Sequence, residues 1–241
     1  MQIVTLDSVE STNKYCEALD LAQVEDFTCY WALAQTAGIG QRGNYWEAAP
    51  GMNLTFSLIL HPTFLPADRQ FRLTQALSLA VVDFLSPFTF HFSPCIKWPN
   101  DIYVDGKKIC GTLVSTRLQG NSIASAICGI GLNVNQTEFP DWVSNPTSLA
   151  LLTGQEYGLK PLLQRLLACI KKRYMELQSG QDFEPEYLEH LMNLGVPIHY
   201  IYIGGNLTAS ITGIDPYGHL LLTAEDGRRL CCGMKEISLL V

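Results

Sequence analysis

The sequence predicts an α+β chain in two parts: a mixed sheet packed with helices over residues 1–195, then a small all-β barrel over residues 196–241. Three observations carry this reading. Before residue 195, apolar runs of strand length are interspersed with segments of helical periodicity. Asp105-Gly106 joins two such runs as a hairpin, because both positions of a two-residue turn need positive φ. From Pro197 on, only short β-rich runs remain, separated by Gly204-Gly205-Asn206, Asp215-Pro216-Tyr217-Gly218 and Asp226-Gly227. Turn signals spaced about 8–12 residues apart are the mark of a small barrel.

Taken in order, Gln2 to Leu6 reads as a short strand, and Ser11 offers an N-cap for a helix from Asn13 to Ala22. Cys29–Ala34 and Asn53–Leu60 are compact apolar runs, read as buried strands, with a glycine-rich loop from Gly38 to Gly51 between them. Asp68 is the expected cap of a helix ending near Leu85, whose Phe71, Leu77, Ala80, Val81 and Phe84 leave little polar face. Ile96–Val104, Lys107–Thr116 and Ser122–Leu132 read as three successive strands. Leu159, Leu162, Leu163, Leu166, Leu167, Ile170 and Tyr174 follow helical spacing and predict one long amphipathic helix.

Composition excludes several classes. Nineteen glycines and 12 prolines in 241 residues are ordinary, so collagen-like and disordered chains are out. A formal charge of −7 removes the bulk electrostatic term behind nonspecific nucleic-acid affinity, so no DNA partner is expected. The most apolar stretch, Ala76 to Phe90, is broken by Asp83 and Pro87 and falls short of the ~20 residues that cross a bilayer. Asp7 and Glu10 interrupt any signal-peptide core, so no membrane partner is expected. Eight cysteines without a C-x-x-C pair, mostly within apolar runs, read as structural thiols of a reducing cytoplasm.

Three segments carry candidate chemistry. Gly38-Ile39-Gly40-Gln41-Arg42-Gly43 matches a dinucleotide fingerprint in letters, but Pro50 and Gly51 leave no room for the helix that fingerprint requires. The loop is either a plain surface loop or a set of backbone N–H groups for a phosphate, with Arg42 as an added charge. In Lys97-Trp98-Pro99-Asn100-Asp101, a hairpin at Asp105-Gly106 sets Tyr103 opposite Lys108 and Asp101 opposite Cys110. Alternation then puts Asp101, Tyr103 and Lys108 on one face, joined by Lys97 if the strand runs unbroken through Pro99. That face is either a solvated ion pair or an anion site with a base beside it. Gly129-Ile130-Gly131-Leu132-Asn133 has glycines at alternate strand positions, which indicate a bulge or a close approach to the backbone.

Together, Ser11-Thr12-Asn13, Gln35, Trp46, Lys97-Trp98-Pro99-Asn100-Asp101, Lys108-x-x-Gly111, Gly129-x-Gly131-x-Asn133 and the tail Glu236-Ile237-Ser238-Leu239 resemble the biotin–protein ligases, in order and over nearly the whole chain. The resemblance implies a class II synthetase-like catalytic fold with a C-terminal SH3-like barrel. It implies ATP, Mg²⁺ and biotin as reactants, biotinyl-AMP as intermediate, and the biotin carboxyl carrier domain of a carboxylase as acceptor. Carried over by position, Lys108 lies between the biotin carboxylate and the α-phosphate, Lys97 adds charge, Asp101 meets the acceptor lysine, and Arg42 assists. Biotin falls to Ser11, Thr12, Asn13, Gln35, Gly38, Ile39, Gly40, Gln41, Gly111, Gly129 and Gly131. The adenylate falls to Gln41, Arg42, Trp46, Asn100, Lys97 and Asn133. No fixed protein metal site is implied.

The chain departs from the family pattern at Ile39, Gln41 and Asn44, where the loop often carries arginine, and at Lys235 and Leu240 in the tail. No room for a helix-turn-helix domain precedes Ser11, so repressor activity is not expected, and a cytoplasmic monomer or weak homodimer is. Alternatives are a lipoate ligase or octanoyltransferase of the same fold, or a biotin-binding protein without catalysis.

Overall fold

The computed structural model describes residues 1–89, 92–203 and 205–239, with Arg42 and Leu239 described by their backbones alone. Phe90, Gly204 and Leu240, singled out in the sequence, lie outside the described residues, as does the Arg42 side chain.

The first part consists of β1 (Gln2–Leu6), α1 (Thr12–Glu17), β2 (Thr28–Ala32), β3 (Leu54–Leu60), α2 (Phe71–Leu85), β4 (Cys95–Lys97), β5 (Asp101–Val104), β6 (Lys107–Gln119), β7 (Ser122–Leu132), α3 (Leu149–Thr153), α4 (Leu159–Gln178) and α5 (Glu184–Glu189). Its seven strands run β1-β2-β3-β7-β6-β5-β4. Among the described residues, β1 and β2 are the one strand pair that runs parallel, which makes the sheet mixed. The second part, β8 (Pro197–Tyr202), β9 (Gly205–Ile214), β10 (Leu220–Ala224), β11 (Arg229–Cys232) and β12 (Ile237–Leu239), is a separate antiparallel sheet consistent with an SH3-like domain.

Strand alternation divides the large sheet into two uses. Leu54, Phe56, Leu58 and Leu60 of β3, with Ala126, Cys128, Ile130 and Leu132 of β7, join one core with α2 and α4. The residues between them, Thr55 and Ser57 on β3 and Gly129 and Gly131 on β7, therefore face the other way, toward α1. Register aligns them in two rows across three strands: Thr55–Gly131–Gly111 and Ser57–Gly129–Leu113. Those rows become the floor of the site.

Several local expectations change. The helix after Ser11 ends at Glu17, and Leu21–Gln23 forms a separate 3₁₀ turn. Asp20 starts that turn by accepting from Ala22 N, a local bond that competes with helix continuation. Asp68 caps nothing, because it lies inside a 3₁₀ turn, Ala67–Arg69, and α2 begins only at Phe71. Ile96–Val104 is not one strand. Pro99 has no N–H to give a ladder, and the chain folds back at Trp98–Asn100 so that β4 and β5 pair with each other. Asp105 and Gly106 both take positive φ, as the turn requires. A bulge between Ile102 and Tyr103 shifts the register, so Asp101 faces Gly111 rather than Cys110.

All eight cysteines are free, and burial pushes the Cys16 thiol up to about 12. No helix among the described residues is long and apolar enough to cross a membrane.

Arg173 of α4 ties three helices together. Its guanidinium donates to both carboxylate oxygens of Asp83 on α2 at 2.7 and 2.8 Å, and to both of Glu186 on α5 at 2.7 and 2.6 Å. These bonds, those to Asp83 foremost, raise its pKa against the opposing effect of burial. Removing one partner of a buried pair costs about 3–5 kcal/mol. The Arg173 side chain is 10% exposed, whereas Asp83 and Glu186 are 30% and 37% exposed, so the low end applies. Arg173→Met is expected to lower unfolding stability by about 3 kcal/mol in urea titrations; a loss below about 1 kcal/mol would reduce the network to surface pairs.

Candidate active site

A cavity of about 330 Å³ opens between the two sheets, over the floor formed by Thr55, Gly111, Gly129 and Gly131. One polar wall comes from the start of α1. Ser11, Thr12 and Asn13 are buried, at 3%, 3% and 5% exposure. Ser57 Oγ lies 2.8 Å from Thr12 Oγ1 and 2.6 Å from Asn13 Oδ1. A hydroxyl has one proton, so Ser57 donates to Asn13 and accepts from Thr12. Gln35 Oε1 accepts from Thr12 N at 2.8 Å. Ser11 makes no side-chain bond to its own helix, which leaves its hydroxyl for a ligand.

The second wall is the β4–β5–β6 ribbon. Lys97 stands directly opposite Asp101 in the β4–β5 ladder, so the broken strand still delivers both to one face. Lys108 Nζ lies 2.6 Å from Asp101 Oδ2, and Lys97 Nζ lies 3.5 Å from Tyr103 Oη. Burial holds the Lys97 pKa below the ordinary lysine range, with Asp101 opposing that and Lys108 adding to it. Tyr103 is pushed up to about 12 by burial, then by Asp101. Asp101 is the only carboxylate among the described residues lining the cavity. Two lysines against one carboxylate leave a net positive wall, an environment for an anion whose charge grows during reaction.

The alternate glycines are explained by what lies on them. A Cβ at Gly129 would sit 2.1 Å from Asn13 Oδ1, and one at Gly131 would sit 2.3 Å from the Trp46 indole. The same indole would meet a Cβ at Gly111 at 3.2 Å, and Lys108 Nζ lies 5.6 Å from its centroid. Among the described residues, Trp46 Nε1 is buried without a hydrogen-bond partner. An unpaired buried N–H costs about 1–3 kcal/mol, so it calls for a ligand acceptor.

Of the residues singled out in the sequence, Ser11, Thr12, Asn13, Gln35, Ile39, Gly40, Gln41, Trp46, Lys97, Asn100, Asp101, Lys108, Gly111, Gly129 and Gly131 line this one cavity. Gly38 and Asn133 do not. Gly38 is held by the loop itself, since a Cβ there would lie within 2.4 Å of the Trp46 carbonyl oxygen and its own carbonyl accepts from Trp46 N. Asn133 donates to the Thr147 carbonyl at 2.9 Å. Asn100 lines the cavity, but its Nδ2 donates to the Thr112 carbonyl and so closes the β4–β5 turn.

Sequence reasoning missed Thr55 and a further wall of Asn193, Ile198, Tyr200, Ile211 and Leu220, and it named Ile237 only within the tail motif, not as a wall of the cavity. Ile198, Tyr200, Ile211, Leu220 and Ile237 depend on how the small sheet docks, which no local pattern encodes, whereas Thr55 lies on β3 beside Gly131. The docking contact itself joins the distinctive motif to that sheet: Trp98 Nε1 donates to the Gly218 carbonyl at 3.0 Å.

Residues 5–133 match the model of the biotin/lipoate A/B protein ligase family. The chain is 31% identical to the bifunctional ligase/repressor BirA of Bacillus spizizenii over 231 residues, covering 93% of this chain and 70% of that one. It is 30% identical to the biotin–[acetyl-CoA-carboxylase] ligase of Paracoccus denitrificans over 240 residues, covering 93% and 95%. Its fold superposes on the biotin protein ligase of Aquifex aeolicus in complex with biotin and ATP, with a TM-score of 0.81 at 27% identity over 99% of this chain and 98% of that one. The matched segment carries both polar walls and the glycine floor of the cavity. The chain belongs to the biotin/lipoate A/B protein ligase family, among the biotin protein ligases.

Proposed function

We propose that this protein joins biotin and ATP to form biotinyl-5'-AMP and pyrophosphate, then passes biotin to one lysine of a biotin carboxyl carrier domain of a carboxylase in the cytoplasm. Residues 1–195 form the catalytic domain and residues 196–241 the small β domain. The observation that carries the reading is the pairing, in one cavity, of the Lys97–Lys108–Asp101 wall with the Ser11–Thr12–Asn13–Gln35 wall.

The first step brings a carboxylate onto an anionic α-phosphate, and a carboxylate oxygen displaces pyrophosphate. Lys108 bridges the two anions and Lys97 adds phosphate-side charge, which lowers the repulsion in the transition state. The polar wall holds the ureido head of biotin. Lipoate, with a dithiolane there, would leave those buried groups unpaired, a penalty that discriminates strongly. In the second step the acceptor amine attacks the acyl carbonyl, AMP leaves, and Asp101 takes the proton that the amine must lose. Asp101 is already engaged by Lys108, so the cavity lacks the carboxylates of a fixed Mg²⁺ site. The metal is expected to arrive on the ATP phosphates, as Mg²⁺ commonly does.

Pyrophosphate release tests the reading. It is expected to require biotin, ATP and Mg²⁺ together, and not to proceed with lipoate or octanoate in place of biotin. Release driven by lipoate or octanoate, or none with biotin, would overturn it.

The loop supports a further expectation. At Gln41, where arginine is common in the family, the side chain reaches Met234 of the small domain at 3.6 Å. A charge-assisted hydrogen bond is worth about 1.5–3 kcal/mol, or roughly 10- to 100-fold in a dissociation rate. Gln41→Arg is expected to slow biotinyl-AMP release about 10-fold, the low end, since glutamine retains a neutral donor. Equal release rates in wild type and variant would assign retention to another group.

A further inference from the structure

Three side chains left unused by that chemistry meet at one edge of the small sheet. Asp215 follows β9, His219 leads into β10, and Cys231 stands in β11 opposite Leu221. Asp215 Oδ1 accepts from the backbone N–H of Tyr217 at 2.9 Å and of His219 at 2.8 Å, which fixes the carboxylate. Its other oxygen, Oδ2, lies 2.8 Å from His219 Nδ1 and 3.7 Å from Cys231 Sγ. One donor atom from each residue falls within 4.8 Å of the other two. We propose that Asp215, His219 and Cys231 bind a zinc ion on the small β domain.

Thiolate, imidazole and carboxylate are the ligand types zinc takes, and bonds of about 2.0–2.3 Å around a tetrahedral centre set donors roughly 3.3–3.7 Å apart. The Sγ to Oδ2 separation already matches. The Nδ1 to Oδ2 pair opens by roughly half an ångström, exchanging one hydrogen bond for two metal bonds. The thiol proton leaves to solvent as sulfur binds, and the neutral imidazole of His219 binds through Nδ1 with its ring proton moved to Nε2. Sulfur and nitrogen donors disfavour calcium and magnesium, which take oxygen. Three protein ligands leave the fourth position to water.

The scaffold is already closed by backbone bonds, from Asp215 N to the His219 carbonyl at 2.9 Å and from Gly218 N to the Asp215 carbonyl at 3.0 Å. Gly218 lies between two of the ligands, and its carbonyl receives the Trp98 indole. A Cβ at Gly218 would lie 2.3 Å from the Phe71 ring, so this turn packs directly on α2. Zinc would thus brace the turn that docks the small domain beside Lys97 and Asp101. The proposal does not depend on which acid the enzyme activates.

Cobalt(II) titrated into the metal-free full chain is the test. One ion per chain is expected to bind with a thiolate-to-cobalt charge-transfer band in the near ultraviolet, and Cys231→Ser is expected to abolish that band. Cys231→Ser and His219→Ala are each expected to weaken zinc binding, read by competition with a chromophoric chelator. The loss should exceed the about 10–100-fold that removing an outer-shell partner costs. Both positions are exposed, so the variants keep the fold, which circular dichroism checks. Absence of the band in wild type, or zinc affinity unchanged in both variants, would overturn the site.

Discussion

Lys108→Ala is expected to reduce biotinyl-AMP formation by about 10²–10³-fold, the range seen when one fixed donor is removed from developing charge. The lysine sits on β6, a 13-residue strand, beside Gly111, with its ammonium 2.6 Å from Asp101. The two side chains are 29% and 27% exposed. The carboxylate left behind in the variant is therefore hydrated, and stability should change by no more than about 1 kcal/mol. The effect belongs to the chemical step: kcat for pyrophosphate release falls while the urea midpoint barely moves. Near-normal adenylation by folded Lys108→Ala would remove this residue from the reaction.

Gly129→Ala is expected to weaken biotin binding about 10- to 100-fold, measured by isothermal titration. The added methyl would lie 2.1 Å from Asn13 Oδ1 and 2.8 Å from its Cγ, so Asn13 must leave the wall. Its departure breaks the Asn13–Ser57–Thr12 chain, and each buried polar group left unpaired costs about 1–3 kcal/mol. Gly129 pairs with Ser57 on one side and Leu113 on the other in the middle of the sheet, so the backbone cannot yield. Biotin affinity equal to wild type would show that Asn13 and its partners do not form the biotin wall.

Much of the site was legible because it is local in sequence. The Asp105-Gly106 turn alone puts Lys108 near Asp101, and alternation puts Gly129 and Gly131 on one face. Lys97 reached that face by a route the pattern did not contain. Pro99 broke the expected strand, and the β4–β5 pairing restored the juxtaposition. The bulge opposite Ile102 was invisible, because a bulge exists only relative to a partner strand. The alternate glycines indicate a bulge or a close approach to the backbone, and the close approach is made by Asn13 over Gly129 and by Trp46 over Gly131. Tyr200, Ile211 and Leu220 were missed altogether, since they reach the cavity only through the packing of two sheets distant in sequence.

The most direct test of the central claim is the intact mass of a biotin carboxyl carrier domain incubated with this enzyme, biotin, ATP and Mg²⁺. A gain of one biotinyl group, mapped by peptide analysis to one lysine and absent when ATP is withheld, is the predicted result. No gain from a folded enzyme that binds biotin, or a lipoyl gain when lipoate is offered, would contradict the account.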